Sequence, residues 1–182
     1  TMRTNMAFIH NQYSNPNASY GGGSGQLIRQ AARMAPWIPY KKEDGSYGSI
    51  SDGNPVAWLD IDSKVNYLQQ NFSGVLAFDY HLLDGLTFTL QGAYVTDVKE
   101  TKDYRKECWY DEVNYHGPDQ LTETVNRWSR YTLDALVNYD KVFGRDHHFK
   151  AMAGYKIEKY DNRELKAFRK NFPNSDVTDL NG

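Results

Sequence analysis

The chain has 182 residues and a single cysteine, Cys108, so no disulfide can form within it. A lone thiol in a polar stretch reads as a loop residue without a role. Charge of one sign is also lacking. Twenty-one Lys and Arg stand against 23 Asp and Glu, a formal charge of -2, so no global basic field draws in nucleic acid or anionic lipid. No apolar run approaches the ~20 residues that a membrane helix needs. The opening "TMRTNMAFIH" has no apolar core of a signal peptide. It reads as the middle of a strand, and "NSDVTDLNG" at the other end reads as loop, so the expectation is an internal fragment of a longer protein.

Aromatic residues are plentiful: 14 Tyr, 8 Phe and 4 Trp, although the mean hydropathy is only -0.75. Tyr and Trp suit boundaries where one end of the ring is dry and the other wet. The stretch "NYDKVFGRDHHFKAMAGY" (138–155) shows how they are arranged. Two alternating segments flank a short polar turn, with apolar residues on one face and polar residues on the other. Period-two alternation of this kind marks strands.

Strands are expected near 1–12, 70–81, 85–98, 128–140 and 147–160, the first with weak alternation. In the second, Phe72, Gly74, Leu76, Phe78 and Tyr80 share a face. In the third it is Leu86, Phe88, Leu90, Gly92 and Tyr94. Tyr131, Leu133, Ala135, Val137 and Tyr139 do so in the fourth, and Phe149, Ala151, Ala153, Tyr155 and Ile157 in the fifth. A short helix is expected near 26–34, with Leu27, Ala31 and Met34 on one face, Ser24 as its cap and Pro36 beyond its end. The stretch 36–59 is rich in turn signals and reads as irregular.

Short and long connections alternate. "LLDG" and "KVFGRDHH" are tight, whereas 13–69, 99–127 and 161–182 are long and polar. A soluble sheet has no reason to gather its long loops at one end. An outer-membrane barrel does, with short periplasmic turns and long extracellular loops. Strands of about 10–13 residues, tilted, also match an apolar band ~25 Å tall. Tyr80 and Tyr139 fall at the short-turn end, and Tyr94, Tyr131 and Tyr155 toward the other, where aromatic girdles belong. The expected fold class is therefore all-β, an antiparallel up-and-down meander forming part of a transmembrane β-barrel.

Several stretches carry a family resemblance: "IPYKKEDGSYG" (38–48), "NPVAWL" (54–59), "LLDGLTFTLQGAY" (82–94), "NYDKVFGRDHHFKAMAGYKIE" (138–158) and "NFPNSDVTDLNG" (171–182). In this order they resemble the barrel domain of the SusC-like TonB-dependent outer-membrane transporters of Bacteroidetes. The resemblance implies a barrel of about 22 strands around an N-terminal plug. It also implies a TonB box and a SusD-like lipoprotein as lid. The cargo would be an oligosaccharide or a peptide. Plug, TonB box and most of the barrel are missing from this sequence, and four or five strands close no barrel. The alternative is a soluble all-β carbohydrate-binding module with the same apolar face packed in a core.

Catalytic signals are absent. "GGGSG" (21–25) lacks the Gly-Lys-Ser/Thr ending of a phosphate loop, and no convergent Ser/His/acid set is visible. His147 and His148 are neighbours on a strand and point to opposite faces, a poor arrangement for a metal. Asp134, Asn138 and Asp140 face Lys150, Lys156 and Glu158, which reads as cross-strand ion pairing. The sequence is therefore expected to be no enzyme and to need no cofactor or metal. Trp37, Trp58, Trp109 and Tyr110 all fall in the long loops. Flat rings stack on sugars and anchor protein interfaces, so these four are the candidate contacts to ligand or lid.

Overall fold

The computed structural model describes residues 1–17, 23–48, 53–174 and 179–180. Part of the glycine loop and half of the closing stretch 171–182 lie outside the described residues. The elements run β1 (Met2–Pro16), α1 (Gly23–Arg33), α2 (Pro55–Asp60), β2 (Lys64–Leu83), β3 (Leu86–Arg105), β4 (Cys108–Trp109), β5 (Tyr115–His116), β6 (Gln120–Phe143) and β7 (His147–Lys170). Five strands form one antiparallel meander in the order β1-β2-β3-β6-β7, and β4 and β5 form a separate ribbon. No helix is long and apolar enough to cross a membrane, which says nothing of strands.

The meander follows the sequence expectation, but its strands are longer. β2 and β3 have 20 residues each, and β6 and β7 have 24. Residues 64–69, 99–105, 120–127 and 161–170, expected as loop, are strand. Their alternation fades because neither face is apolar. Backbone pairing is joined there by polar pairs such as Lys102 with Glu123 at 3.5 Å, and by the stacking of Tyr13 on Tyr67 at 4.8 Å.

The chain divides into two compact units. The first comprises Thr1–His10, Gln69–Val98 and Asn126–Glu164. Its sheet has two unlike faces. On the polar face, Arg3 donates to both Asp79 carboxylate oxygens at 2.8 and 2.9 Å, and the Thr89 hydroxyl donates to Asp79 at 2.7 Å. This ties β1, β2 and β3 together. Asp140 accepts from His148 and pairs with Lys150 at 3.0 Å, joining β6 to β7 as the charge pattern foretold. Lys156 instead pairs along its own strand with Glu158 at 3.4 Å.

The apolar face of this unit is bare. Leu76, Phe78, Leu90, Leu133, Val137 and Phe149 are 37–53% exposed, so none of them is buried against the described residues. Aromatics gather at two levels. Near the turns, Tyr139 lies 6.0 Å from Phe149 and 6.5 Å from Phe143. Farther along, Tyr94 lies 4.8 Å from Tyr131 and 6.2 Å from Phe72. These rings sit within the strands, because the strands continue past them. From Leu86 to Tyr94 the rise is about 26 Å along the strand at ~3.3 Å per residue.

Both turns use glycine at positive φ, Gly85 at +83° and Gly144 at +68°. The Gly85 carbonyl also accepts the Asp140 amide at 2.8 Å, which holds the β2–β3 turn against β6.

Candidate functional site: an ordered cap

The second unit, Asn11–Leu68, Lys99–Val125 and Leu165–Gly182, holds every candidate contact residue. Its organising element is the six-residue helix α2. The Asn54 side-chain oxygen accepts the Val56 and Ala57 amides at 2.8 and 3.2 Å, and Pro55 occupies the first helical turn. Asn followed by Pro is thus a helix start rather than a turn. The other end of the Asn54 amide donates to the Tyr40 and Gly48 carbonyls at 2.8 and 2.6 Å. One buried side chain therefore fixes both the helix and the loop before it.

α2 presents Ala57 and Trp58 to a small core completed by Cys108 and Tyr110, with Leu27, Tyr47 and Ile61 packed against it. Trp58 is fully buried, and its indole N–H donates to the Tyr110 hydroxyl at 2.7 Å. Gly53 sits at φ +92°, and a Cβ there would run into the Tyr110 ring. The helix α1 begins at Gly23, one residue before the expected Ser24 cap. It turns Leu27 and Gln30 inward, with Met34 half-buried just past its end, while Ala31 is exposed. The Gln30 amide donates to the Gly53 carbonyl at 2.8 Å, so a buried polar residue takes the place expected of Ala31.

The ribbon sorts the remaining candidates by alternation. Cys108 pairs with His116, and Trp109 with Tyr115. Neighbours on a strand face opposite ways, so Cys108 and Tyr110 go into the core and Trp109 goes out. Beyond the ribbon, Asp111 closes a turn by accepting the Val113 and Asn114 amides at 3.0 and 2.7 Å. The Asn114 side-chain amide, which donates to Asp111 at 2.7 Å, does most to hold its carboxyl below the usual carboxylate range, and the two backbone bonds add to it.

The four expected contact residues therefore separate. Trp58 and Tyr110 are core, and burial removes both from any role as ligand platforms. Trp37 is 83% exposed beyond the end of α1, and Trp109 is 56% exposed. Trp109 is backed by Tyr115, with ring centroids 4.4 Å apart. The Tyr115 hydroxyl donates to Glu107 at 3.1 Å. Tyr115 was not singled out in the sequence; its signal is the symmetric spacing of Trp109 and Tyr115 about the Asp111 turn. The resulting surface can stack on a flat ligand and offers a carboxylate beside it. Among the described residues no group of three or more His, Cys, Asp or Glu side chains could hold a metal.

Burial also sets the chemistry of the core. It pushes the Cys108 thiol up to about 11 from an ordinary value near 9, and the Tyr47 phenol up to about 12, the latter helped by its hydrogen bond to Asp60. Between these values the folded cap keeps protons that the unfolded chain has released. The native state then binds more protons, so stability falls as pH rises from about 9 to about 12. At pH 8 the Cys108 thiol is expected to resist a soluble disulfide reagent until the cap is denatured. Rapid stoichiometric labelling of the folded protein would contradict that burial.

The fold defines an antiparallel sheet with one bare apolar face, and the site is an ordered cap with a paired aromatic surface. No family model matches the chain, and no curated protein matches it.

Proposed function

We propose that this chain is part of the wall of a SusC-like TonB-dependent nutrient importer in the outer membrane, whose cargo is an oligosaccharide or a peptide. The observation that carries the reading is the exposed apolar face, bounded along the strands by two levels of aromatic rings. In water such a face is an aggregation hazard, whereas in a bilayer it is the lipid-facing side of a barrel. The polar face then lines the lumen or meets a plug. β1 and β7 pair with further strands of the same barrel, since an unpaired edge is not tolerated in hydrocarbon.

The cap belongs on the extracellular side in this reading, because the tight turns are periplasmic. Trp37 and the Trp109–Tyr115 pair become contacts for cargo or for a SusD-like lid lipoprotein. No covalent chemistry is assigned to them. The protein would move cargo by rearrangement of a plug coupled to TonB, with the loops selecting what enters.

The test is fractionation of source cells with an antibody against this chain. The expected result is a band several times larger than the chain in the outer membrane, running faster on a denaturing gel when unboiled, and co-purifying with a lipoprotein. A detergent-free soluble band of the chain's own size would overturn the reading in favour of a carbohydrate-binding module.

A further inference from the structure

We propose that the apolar face of the first unit carries a seat for a phosphate-bearing lipid, with Gly74 and Gly92 forming its floor and Lys159 and Arg127 holding its phosphate. This inference rests on the outer-membrane reading and adds a specific lipid site to it.

The floor comes from the sequence. On β2 and β3 the apolar face carries bulky side chains, except at Gly74 and Gly92. A cavity of about 470 Å³ lies over these glycines, walled by Phe72, Leu76, Tyr94, Tyr131 and Leu133. That volume falls within the ~300–1,000 Å³ of ordinary ligand sites. A side chain at Gly92 would meet nothing within 4 Å and would project into open space. The lining is almost wholly hydrocarbon and aromatic, which suits an acyl chain and little else.

Charge selects the headgroup. Lys159 reaches the same cavity. It takes part in no ion pair or hydrogen bond among the described residues. The Arg127 guanidinium donates to the Tyr94 hydroxyl and lies near that of Tyr131, at the boundary where the apolar belt ends. Ser129 and Thr96 lie at this level too, their hydroxyls hydrogen-bonded at 3.1 Å. The nearby carboxylate, Asp161, is engaged by Arg163 at 3.6 Å. Two cations without a committed carboxylate thus sit at headgroup depth, Lys159 lining the apolar groove and Arg127 next to the Tyr94 that walls it. An uncharged lipid such as diacylglycerol would fill the groove and leave Lys159 without a counter-charge. A phosphate monoester matches both, Arg by a two-pronged bond and Lys as a point charge.

The experiment uses the full-length protein in phosphatidylcholine nanodiscs doped with phosphatidic acid or with diacylglycerol of the same acyl chains. Lipid retained after detergent washing is counted by mass spectrometry. Phosphatidic acid is expected to be retained about tenfold over diacylglycerol, the gain of a charge-assisted pair near hydrocarbon. Lys159→Gln and Arg127→Gln should each erase most of that preference and leave diacylglycerol unchanged. Gly92→Leu should lower retention of both lipids, with an unchanged heat-modifiable gel shift as evidence of folding. Equal retention of the two lipids, or indifference to both charge variants, would overturn the lipid seat while leaving the barrel intact. Failure to enter nanodiscs, with solubility in plain buffer, would instead overturn the membrane reading and the seat with it.

Discussion

Trp58→Ala is expected to cost the cap about 3–5 kcal/mol, the usual range for emptying a fully buried aromatic site. Two effects add. The indole leaves a void among Ala57, Cys108 and Tyr110, and the Tyr110 hydroxyl loses the N–H that reaches it at 2.7 Å. Trp58→Phe separates them. It keeps most of the volume and removes one hydrogen bond from the hydroxyl, for a cost of about 0.5–1.5 kcal/mol. Hydrogen exchange read by mass spectrometry should show faster exchange in α1, α2 and the β4–β5 ribbon. Exchange across Gln69–Val98 should stay near the parent level. Unchanged protection of the cap in Trp58→Ala would mean that this cluster does not hold it together.

Leu90→Arg is the second large effect. Leu90 lies midway between Leu86 and Tyr94 on the apolar face, so in a bilayer it occupies the middle of the belt. Arginine there is expected to cost ~2–4 kcal/mol, while the depth dependence makes the same change cheap near either boundary. Gln91→Arg is the paired control. It is one residue along and faces the polar side, where the charge meets water or a lumen. Its cost should stay within about 0.5 kcal/mol, as for other solvated surface changes. Both variants of the full-length protein are compared by denaturant titration in lipid vesicles. Equal costs for the two would refute the assignment of the lipid-facing side.

The sheet of the first unit was legible because an apolar face and a polar face impose opposite demands on alternate residues. From Phe72 to Tyr80 and from Leu86 to Tyr94, that demand is written into every second position. It lapses in "VKETKDYR" (98–105), where both faces are polar, and the strand continues there without an apolar signature. The cap was harder to read for another reason. A loop tryptophan can fill a core or present a platform, and composition does not distinguish the two. Only pairing does so: the ribbon register turns Trp109 outward and its neighbours Cys108 and Tyr110 inward. The start of α2 was read as a turn within an irregular stretch, although Asn54-Pro55 is a helix cap followed by a first-turn proline. The apolar residues after it were too few to show a period.

The two tight turns look interchangeable in sequence, yet the structure gives them unequal freedom to change length. At Gly85 the carbonyl is engaged by the Asp140 amide, and a Cβ would press on the Asp140 backbone. At Gly144 nothing lies within 4 Å of that position. Insertions and deletions among related sequences should therefore collect around Gly144–Asp146 and spare Asp84–Gly85. An epitope spliced in after Gly144 would hang clear of the sheet, whereas the same peptide at Gly85 would prise β6 away from the hairpin beside it.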